Sequence, residues 1–172
     1  MIPFLVIAVL DAHFKTAFFL FVLAGISDGL DGLIARRWKQ GTKLGQYLDP
    51  IADKLLLSTL FVVLAHAGLI RRYITVLVLG RDIIILMVCT LLFVTVGLRN
   101  FKPSLLGKAN TLAQILALTT TLLSRFYGPC ALMEVRQAAL WATVGLTTAS
   151  GFHYVWLVGK RVGDLGSEGD HI

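Results

Sequence analysis

Five long apolar runs, separated by short polar stretches, organise the chain: roughly residues 14–36, 49–70, 73–98, 104–125 and 137–159. Each is close to the ~20 residues that carry a helix across a bilayer core, so the pattern predicts helices of spanning length. A shorter run, residues 2–10, precedes them and is read as the end of a first helix whose start lies before Met1. The expected fold is all-α: a polytopic membrane helix bundle of about six transmembrane helices, the first truncated. It forms one domain over residues 1–162, and the polar, Gly-rich stretch GDLGSEGDHI at 163–172 is expected to be a loose tail.

Composition agrees with lipid as the solvent. Of the 172 residues, 56% are hydrophobic and only 15% charged. Residues 1–10 lack the positive n-region of a secretory signal, so the first run is expected to stay in the mature protein. The net charge of +6 is dispersed over loops rather than gathered in a soluble module, which argues against a nucleic-acid partner. The positive-inside bias accounts for it better. One side receives Arg36, Arg37, Lys39, Lys43, Arg99, Lys102, Lys108, Lys160 and Arg161, and the other Lys15, Arg71, Arg72, Arg125 and Arg136. The richer side, which holds the 37–47 loop, is expected to be cytoplasmic. Cys89 and Cys130 lie far apart without metal-ligand spacing and are read as packing residues.

Four acids break this apolar pattern. Asp28 and Asp31 are three residues apart and Asp49 and Asp53 four apart, so each pair falls on one face of its own helix. An aspartate at a helix centre costs about 3 kcal/mol even on the lenient insertion scale, and a cluster of four needs a compensating partner. Capping explains Asp49 alone, since Pro50 follows it at a helix start, and ordinary ion pairing explains Asp31 or Asp53 alone. A common explanation for all four is a divalent cation. Carboxylate oxygens without Cys or His select Mg²⁺, Mn²⁺ or Ca²⁺, and Arg36, Lys39 and Lys43 alongside add contacts for an anion. The small residues Ala24, Gly25, Ser27, Gly29, Gly32 and Ala35 serve either close helix packing or backbone access for a ligand. The chemistry indicated is metal-assisted phosphoryl transfer at the cytoplasmic membrane surface.

The segment Asp28-x-x-Asp31-Gly32-x-x-Ala35-Arg36, then eight residues, then Gly45-x-x-x-Asp49-x-x-x-Asp53 resembles the signature of the CDP-alcohol phosphatidyltransferases at every defining position. The resemblance implies a homodimeric six-helix membrane enzyme that moves the phosphatidyl group from CDP-diacylglycerol to an alcohol and releases CMP. It further implies that Asp28, Asp31, Asp49 and Asp53 hold Mg²⁺ or Mn²⁺, as two ions, and that Asp53 is also the general base. Gly32, Ala35, Arg36 and Gly45 would line the CDP site. The active site is expected to face the cytoplasm from a bacterial inner membrane.

Beyond the signature, Arg81 is an arginine within an apolar run and thus a functional candidate for binding an acceptor phosphate, unless it serves only an internal ion pair with Asp82. Lys43, Lys108 and Thr111 are the other candidates for that role. The pattern Arg81-Asp82 with Gly107-Lys108-x-Asn110-Thr111-x-x-Gln114 resembles the branch that makes glycerol-type anionic lipids. Cys89 and Asn110 stand where phosphatidylglycerophosphate synthases usually carry an arginine and a lysine, which resembles cardiolipin synthases. Two acceptors therefore remain open: glycerol 3-phosphate and phosphatidylglycerol. The Asn-Pro-Asn element and helix-1 arginine usual at the start of the family are absent from this sequence. A different class, a divalent-cation transporter, fits the carboxylates but not Arg36, Lys43 and Arg81, which repel cations.

Overall fold

The computed structural model describes residues 1–38, 43–96, 105–128 and 130–168, and the side chains of 1–27, 29–30, 54–87, 106–128 and 132–152. The described residues form six helices and no strand: α1 (Ile2–Leu10), α2 (Phe14–Trp38), α3 (Lys43–His66), α4 (Arg72–Val96), α5 (Leu105–Leu123) and α6 (Cys130–Glu168). The predicted runs and the observed helices coincide within a few residues for α2 and α4, because long, predominantly apolar sequence without Pro gives the backbone no alternative to its own hydrogen bonds. α3 begins earlier than the run predicts, at Lys43, so Pro50 lies inside the helix. α6 runs 39 residues, starting at Cys130 and continuing into the segment expected to be a loose tail; residues 169–172 lie outside the described residues. Gly163 and Gly166 do not halt it.

Tight turns join α1 to α2 and α3 to α4. Ala12 takes a left-handed φ of 57° between α1 and α2, and the His13 N–H donates to the Ala8 carbonyl at 2.8 Å. α3 ends where Gly68 adopts φ 72° and the Leu69 N–H donates back to the Leu64 carbonyl at 2.8 Å, a closure that glycine permits without strain.

The core lies between α1, α2, α3, α4 and α5. Leu5 and Val9 of α1, Ala17 and Phe21 of α2, Leu60, Phe61 and Leu64 of α3, Ile74 and Val78 of α4, and Leu118 and Leu122 of α5 are all buried in it. α1 packs against both α2 and α3, and no α2–α3 contact occurs among the described residues. α6 packs along α5 and α4. The Thr75 hydroxyl donates to the Phe61 carbonyl at 3.2 Å, fastening α4 to α3 at the level of the largest buried ring. Phe18 meets Phe126 edge to face with centroids 5.5 Å apart, and the Arg125 guanidinium lies 5.5 Å over the Phe14 ring, so the α5–α6 turn seats on α2.

No helix is long and apolar enough, over the described residues, to cross a membrane. The surface is nonetheless apolar: Phe4, Phe19, Val76, Met87 and Phe152 are among many large hydrophobic side chains turned outward. Polar side chains are turned inward, with Arg81, Asp82, Asn110, Gln114, Thr147 and Ser150 all buried. Truncation of the fully buried Phe61 to alanine is expected to cost about 3–5 kcal/mol, read from denaturant titration in detergent followed by circular dichroism. A loss below about 1 kcal/mol would show that this ring is not at the centre of the packing.

Candidate active site

The signature residues occupy two consecutive helices. Asp28, Asp31, Gly32, Ala35 and Arg36 lie in the C-terminal half of α2, and Gly45, Asp49 and Asp53 in the N-terminal half of α3, preceded there by the acceptor candidate Lys43. By helical register, 28, 31, 32 and 35 share one face of α2, and 45, 49 and 53 recur every four residues along α3. The link between the helices is only residues 39–42, so both sets belong to the same end of the bundle. The side chains of all nine lie outside the described residues, and among the described residues no group of three or more His, Cys, Asp or Glu gathers as a metal site.

α2 approaches this segment with open glycines. A Cβ built on Gly25 or Gly29 meets nothing within 4 Å, so neither is a point of close helix packing among the described residues. Of the two uses that small residues have, backbone access is the one these two positions retain, together with packing against a second chain.

Next to the signature, three helices share a buried ionic cluster. Arg81 on α4 donates from one terminal nitrogen to Asp82 Oδ1 at 2.7 Å, and from its other terminal nitrogen and Nε to Ser150 Oγ on α6 at 2.7 and 3.2 Å. Lys54, the residue after Asp53 on α3, sets its ammonium 3.7 Å from the same Asp82 oxygen. Asp82 thereby receives two cations in an apolar bundle, which is what permits Arg81 and Asp82 to be charged at such depth. Two positive charges against one negative leave this described cluster at +1. Lys54 keeps a third of its side chain exposed, whereas Arg81 and Asp82 are nearly enclosed.

A second polar contact joins α5 to α6. The Thr147 hydroxyl donates to Asn110 Oδ1 at 2.9 Å, and one turn further along α5 Gln114 is also buried. Asn110 Nδ2 and Gln114 Nε2 are enclosed without a partner. Thr111, expected beside an acceptor phosphate, is half-buried and returns its hydroxyl to the Gly107 carbonyl at 3.1 Å, while Lys108 is exposed. Of the acceptor-site candidates, the structure thus encloses Arg81 and leaves Lys108 at the surface; Lys43 lies outside the described side chains.

Lys54 was legible as a charge inside an apolar run beside Asp53. Ser150 was not, because a lone serine in a helix carries no positional signal, and neither was Asp82's double role, which depends on α3 and α4 lying side by side.

The family model described as CDP-alcohol phosphatidyltransferase matches residues 1–149. Among curated proteins, the cardiolipin synthase (CMP-forming) of Rattus norvegicus is 29% identical over 177 residues, covering 92% of this chain and 57% of that protein. A CDP-diacylglycerol–glycerol-3-phosphate 3-phosphatidyltransferase from Sodalis glossinidius is 36% identical over 165 residues, covering 91% of this chain and 87% of the relative. One of the same name from Bacillus subtilis is 32% identical over 151 residues, covering 83% and 72%. The chain therefore spans little more than half the length of the first of these and most of the other two.

Removing either side of the ionic cluster should be costly in proportion to the charge stranded. Asp82→Ala leaves two cations facing each other and is expected to cost about 3–5 kcal/mol, against about 1–3 kcal/mol for Ser150→Ala, which removes a neutral acceptor. Thermal unfolding in detergent ranks the two; an equal effect would mean that Lys54 and Arg81 find other counter-charges.

Proposed function

Because the chain belongs to the CDP-alcohol phosphatidyltransferase family, we propose that it is a membrane enzyme that transfers the phosphatidyl group of CDP-diacylglycerol to a glycerol-type alcohol and releases CMP. The observation that carries this reading is the complete acid signature at one end of two consecutive helices, inside the region matched to the family. The relatives whose names specify glycerol 3-phosphate or a CMP-forming cardiolipin synthase support it.

Bilayer embedding is supported by the reversed distribution of polarity. A chain that buries Arg, Asp, Asn and Gln while turning Phe, Leu, Ile and Met outward is solvated by hydrocarbon rather than water. On this reading the six helices form a polytopic bundle, the positive-inside bias favours the signature end at the cytoplasmic face, and a bacterial inner membrane is the membrane proposed. The diacylglycerol tails stay in the bilayer while the CDP head reaches the acids. A homodimer is part of the proposal, and the open face of α2 at Gly25 and Gly29 is compatible with one.

The donor set fits a hard divalent cation: segment 28–53 offers four aspartates and neither Cys nor His. Asp28, Asp31, Asp49 and Asp53 would hold Mg²⁺ or Mn²⁺, two ions, which when bound neutralise charge on the pyrophosphate. Gly32, Ala35 and Gly45 leave the backbone accessible to the CDP group, and Arg36 offers it a fork of donors. Asp53 takes the proton from the acceptor hydroxyl as that oxygen forms its bond to the phosphorus bearing the lipid. The bond from that phosphorus to the bridging oxygen breaks, and CMP leaves with the electron pair.

Lys43, Lys108 and Thr111 are proposed to face the acceptor, with Lys54 joining them and Arg81 positioning Lys54 through Asp82. The cluster's excess of cations would draw an anion towards the turn of α3 that holds Asp53, and Lys54, with a third of its side chain exposed, is its most accessible member. Arg81, engaged with Asp82 and Ser150, acts by holding Asp82 and through it Lys54. Glycerol 3-phosphate is the first acceptor reading. Phosphatidylglycerol is favoured by one observation: position 110 is a fully buried neutral amide bonded to Thr147. A site with fewer cations suits a singly charged phosphodiester better than a doubly charged monoester.

CMP release from CDP-diacylglycerol in detergent, with glycerol 3-phosphate and phosphatidylglycerol offered separately, tests the assignment. Chelation of divalent cations is expected to stop release and Mg²⁺ or Mn²⁺ to restore it; activity untouched by chelation would overturn the metal reading. Asp53→Asn is expected to lower release by about 10²–10⁴-fold while thermal stability is retained. Normal release by that variant would remove Asp53 as the base.

A further inference from the structure

At the end of the bundle opposite the signature, a cleft of about 210 Å³ opens between the α3–α4 turn and the first turns of α6. Along α3 alone, Asp49 and His66 are about 25 Å apart at 1.5 Å per residue, so this cleft is a different place from the acid site. Its walls combine two arginines, Arg71 and Arg136, with the rings of Tyr73 and Trp141 and the aliphatic Ile74 and Leu140.

The arginines are not accounted for by ion pairs. Among the described residues the recorded salt bridges are those of Lys54 and Arg81 with Asp82. Arg136 uses one terminal nitrogen to donate to the Leu69 carbonyl, which pins the α3–α4 turn, while its Nε is enclosed without a partner. Burial first, and the charge of Arg125 second, hold the Arg136 guanidinium below its usual value, as expected for a cation whose surroundings add positive rather than negative charge. Arg125 is itself occupied by the Phe14 ring, and Arg71 stands exposed on the cleft wall. Arginines at this end also run against the positive-inside bias, which would deplete them from short loops on the outer side. The cleft thus has unneutralised positive charge and an unused donor at its polar part, and aromatic and aliphatic surface leading away from it.

We propose that this cleft binds the phosphate headgroup of an anionic phospholipid in the leaflet opposite the catalytic acids. The arginines engage the phosphodiester, Gln137 on the wall offers its amide to the glycerol oxygens, and the start of an acyl chain lies against Leu140 and Trp141. The charge pattern chooses an anionic lipid over a zwitterionic one, since the choline of the latter would meet two guanidiniums. The inference rests on the reading of the chain as membrane-embedded, but not on the transfer reaction or on its acceptor.

The test uses Trp141 as the reporter, with Trp38→Phe and Trp156→Phe removing the other two tryptophans. The protein is reconstituted in phosphatidylcholine vesicles containing a small fraction of either brominated phosphatidylglycerol or brominated phosphatidylcholine. Quenching of Trp141 is expected to favour the anionic probe by about fivefold for each arginine engaged. Arg71→Gln and Arg136→Gln should each reduce that preference. Because Arg136→Gln also releases the Leu69 carbonyl and can loosen the turn, Arg71→Gln, which breaks no recorded hydrogen bond, carries the decision. Equal quenching by the two probes, or an undiminished preference in Arg71→Gln, would overturn the proposal. Loss of the preference on adding millimolar inorganic phosphate would assign the cleft to the free ion instead of a lipid. CMP release from the same vesicles reports on the transfer reading separately, so failure of one does not masquerade as failure of the other.

Discussion

Asp82 holds two cations from different helices, and the arrangement of the bundle depends on that sharing. Its Oδ1 lies 2.7 Å from Arg81 and 3.7 Å from Lys54, and Arg81 continues to Ser150, so α3, α4 and α6 are tied at one level. In an apolar surrounding each of these charges is tolerable only beside the others, since an ion stranded there loses its hydration without recompense. On the proposed bilayer-embedded reading, aliphatic surfaces could not set the level alone. Where hydrocarbon is the solvent, one leucine contact is nearly as good as the next, and helices slide or rotate until polar groups fix their register. The ionic cluster and the Asn110–Thr147 bond supply that register for α4, α5 and α6. Through Lys54 they also fix the turn of α3 that carries Asp53.

The threonines serve the same end by a different route. Thr119, Thr120, Thr121, Thr143 and Thr148 each donate a hydroxyl to a carbonyl four residues back, at 2.6 to 2.9 Å. A hydroxyl satisfied within its own helix puts no demand on a neighbour. α5 and α6 can therefore carry several polar residues through an apolar bundle without creating unpaired groups. Asn110 Nδ2 and Gln114 Nε2 depart from this pattern by being enclosed and unpartnered in a stretch where every nearby threonine is satisfied.

The helices were legible because uninterrupted apolar runs leave a backbone one economical conformation, and the runs' lengths located α2 and α4 closely. The start of α3 was less so. Asp49-Pro50 reads locally as a cap and first helical residue, yet the helix starts at Lys43 and carries Pro50 in its interior, where local capping signals do not point. The reach of α6 to Glu168 was hidden by the glycines and charges of its last turns. At the site, sequence named the acids by their spacing, because register on a helix follows from sequence distance alone. It named Arg81 by its incongruity in an apolar run. It did not name Ser150 or the pairing of Asn110 with Thr147, since those depend on which faces of α4, α5 and α6 meet, and nothing periodic in the chain encodes a meeting between helices 37 or 69 residues apart.

Charge balance connects the two halves of the proposed site. Four aspartates at the ends of α2 and α3 repel a pyrophosphate, so CDP-diacylglycerol can be held there only if cations intervene. The chain's own cations in this segment are Arg36 and Arg37 on α2, then Lys39 and Lys43; they can orient a phosphate but cannot bridge carboxylate to phosphate as a divalent ion does. That bridging is why divalent ions suit this end of the bundle. The described cluster one residue beyond Asp53 sets two cations against one carboxylate. An acceptor whose phosphate settles toward Lys54 would bring its hydroxyl toward Asp53 from the side away from the other acids. Negative donor chemistry and positive acceptor recognition would then meet across a single helical step of α3, with Asp53 at the boundary where a proton has to be taken.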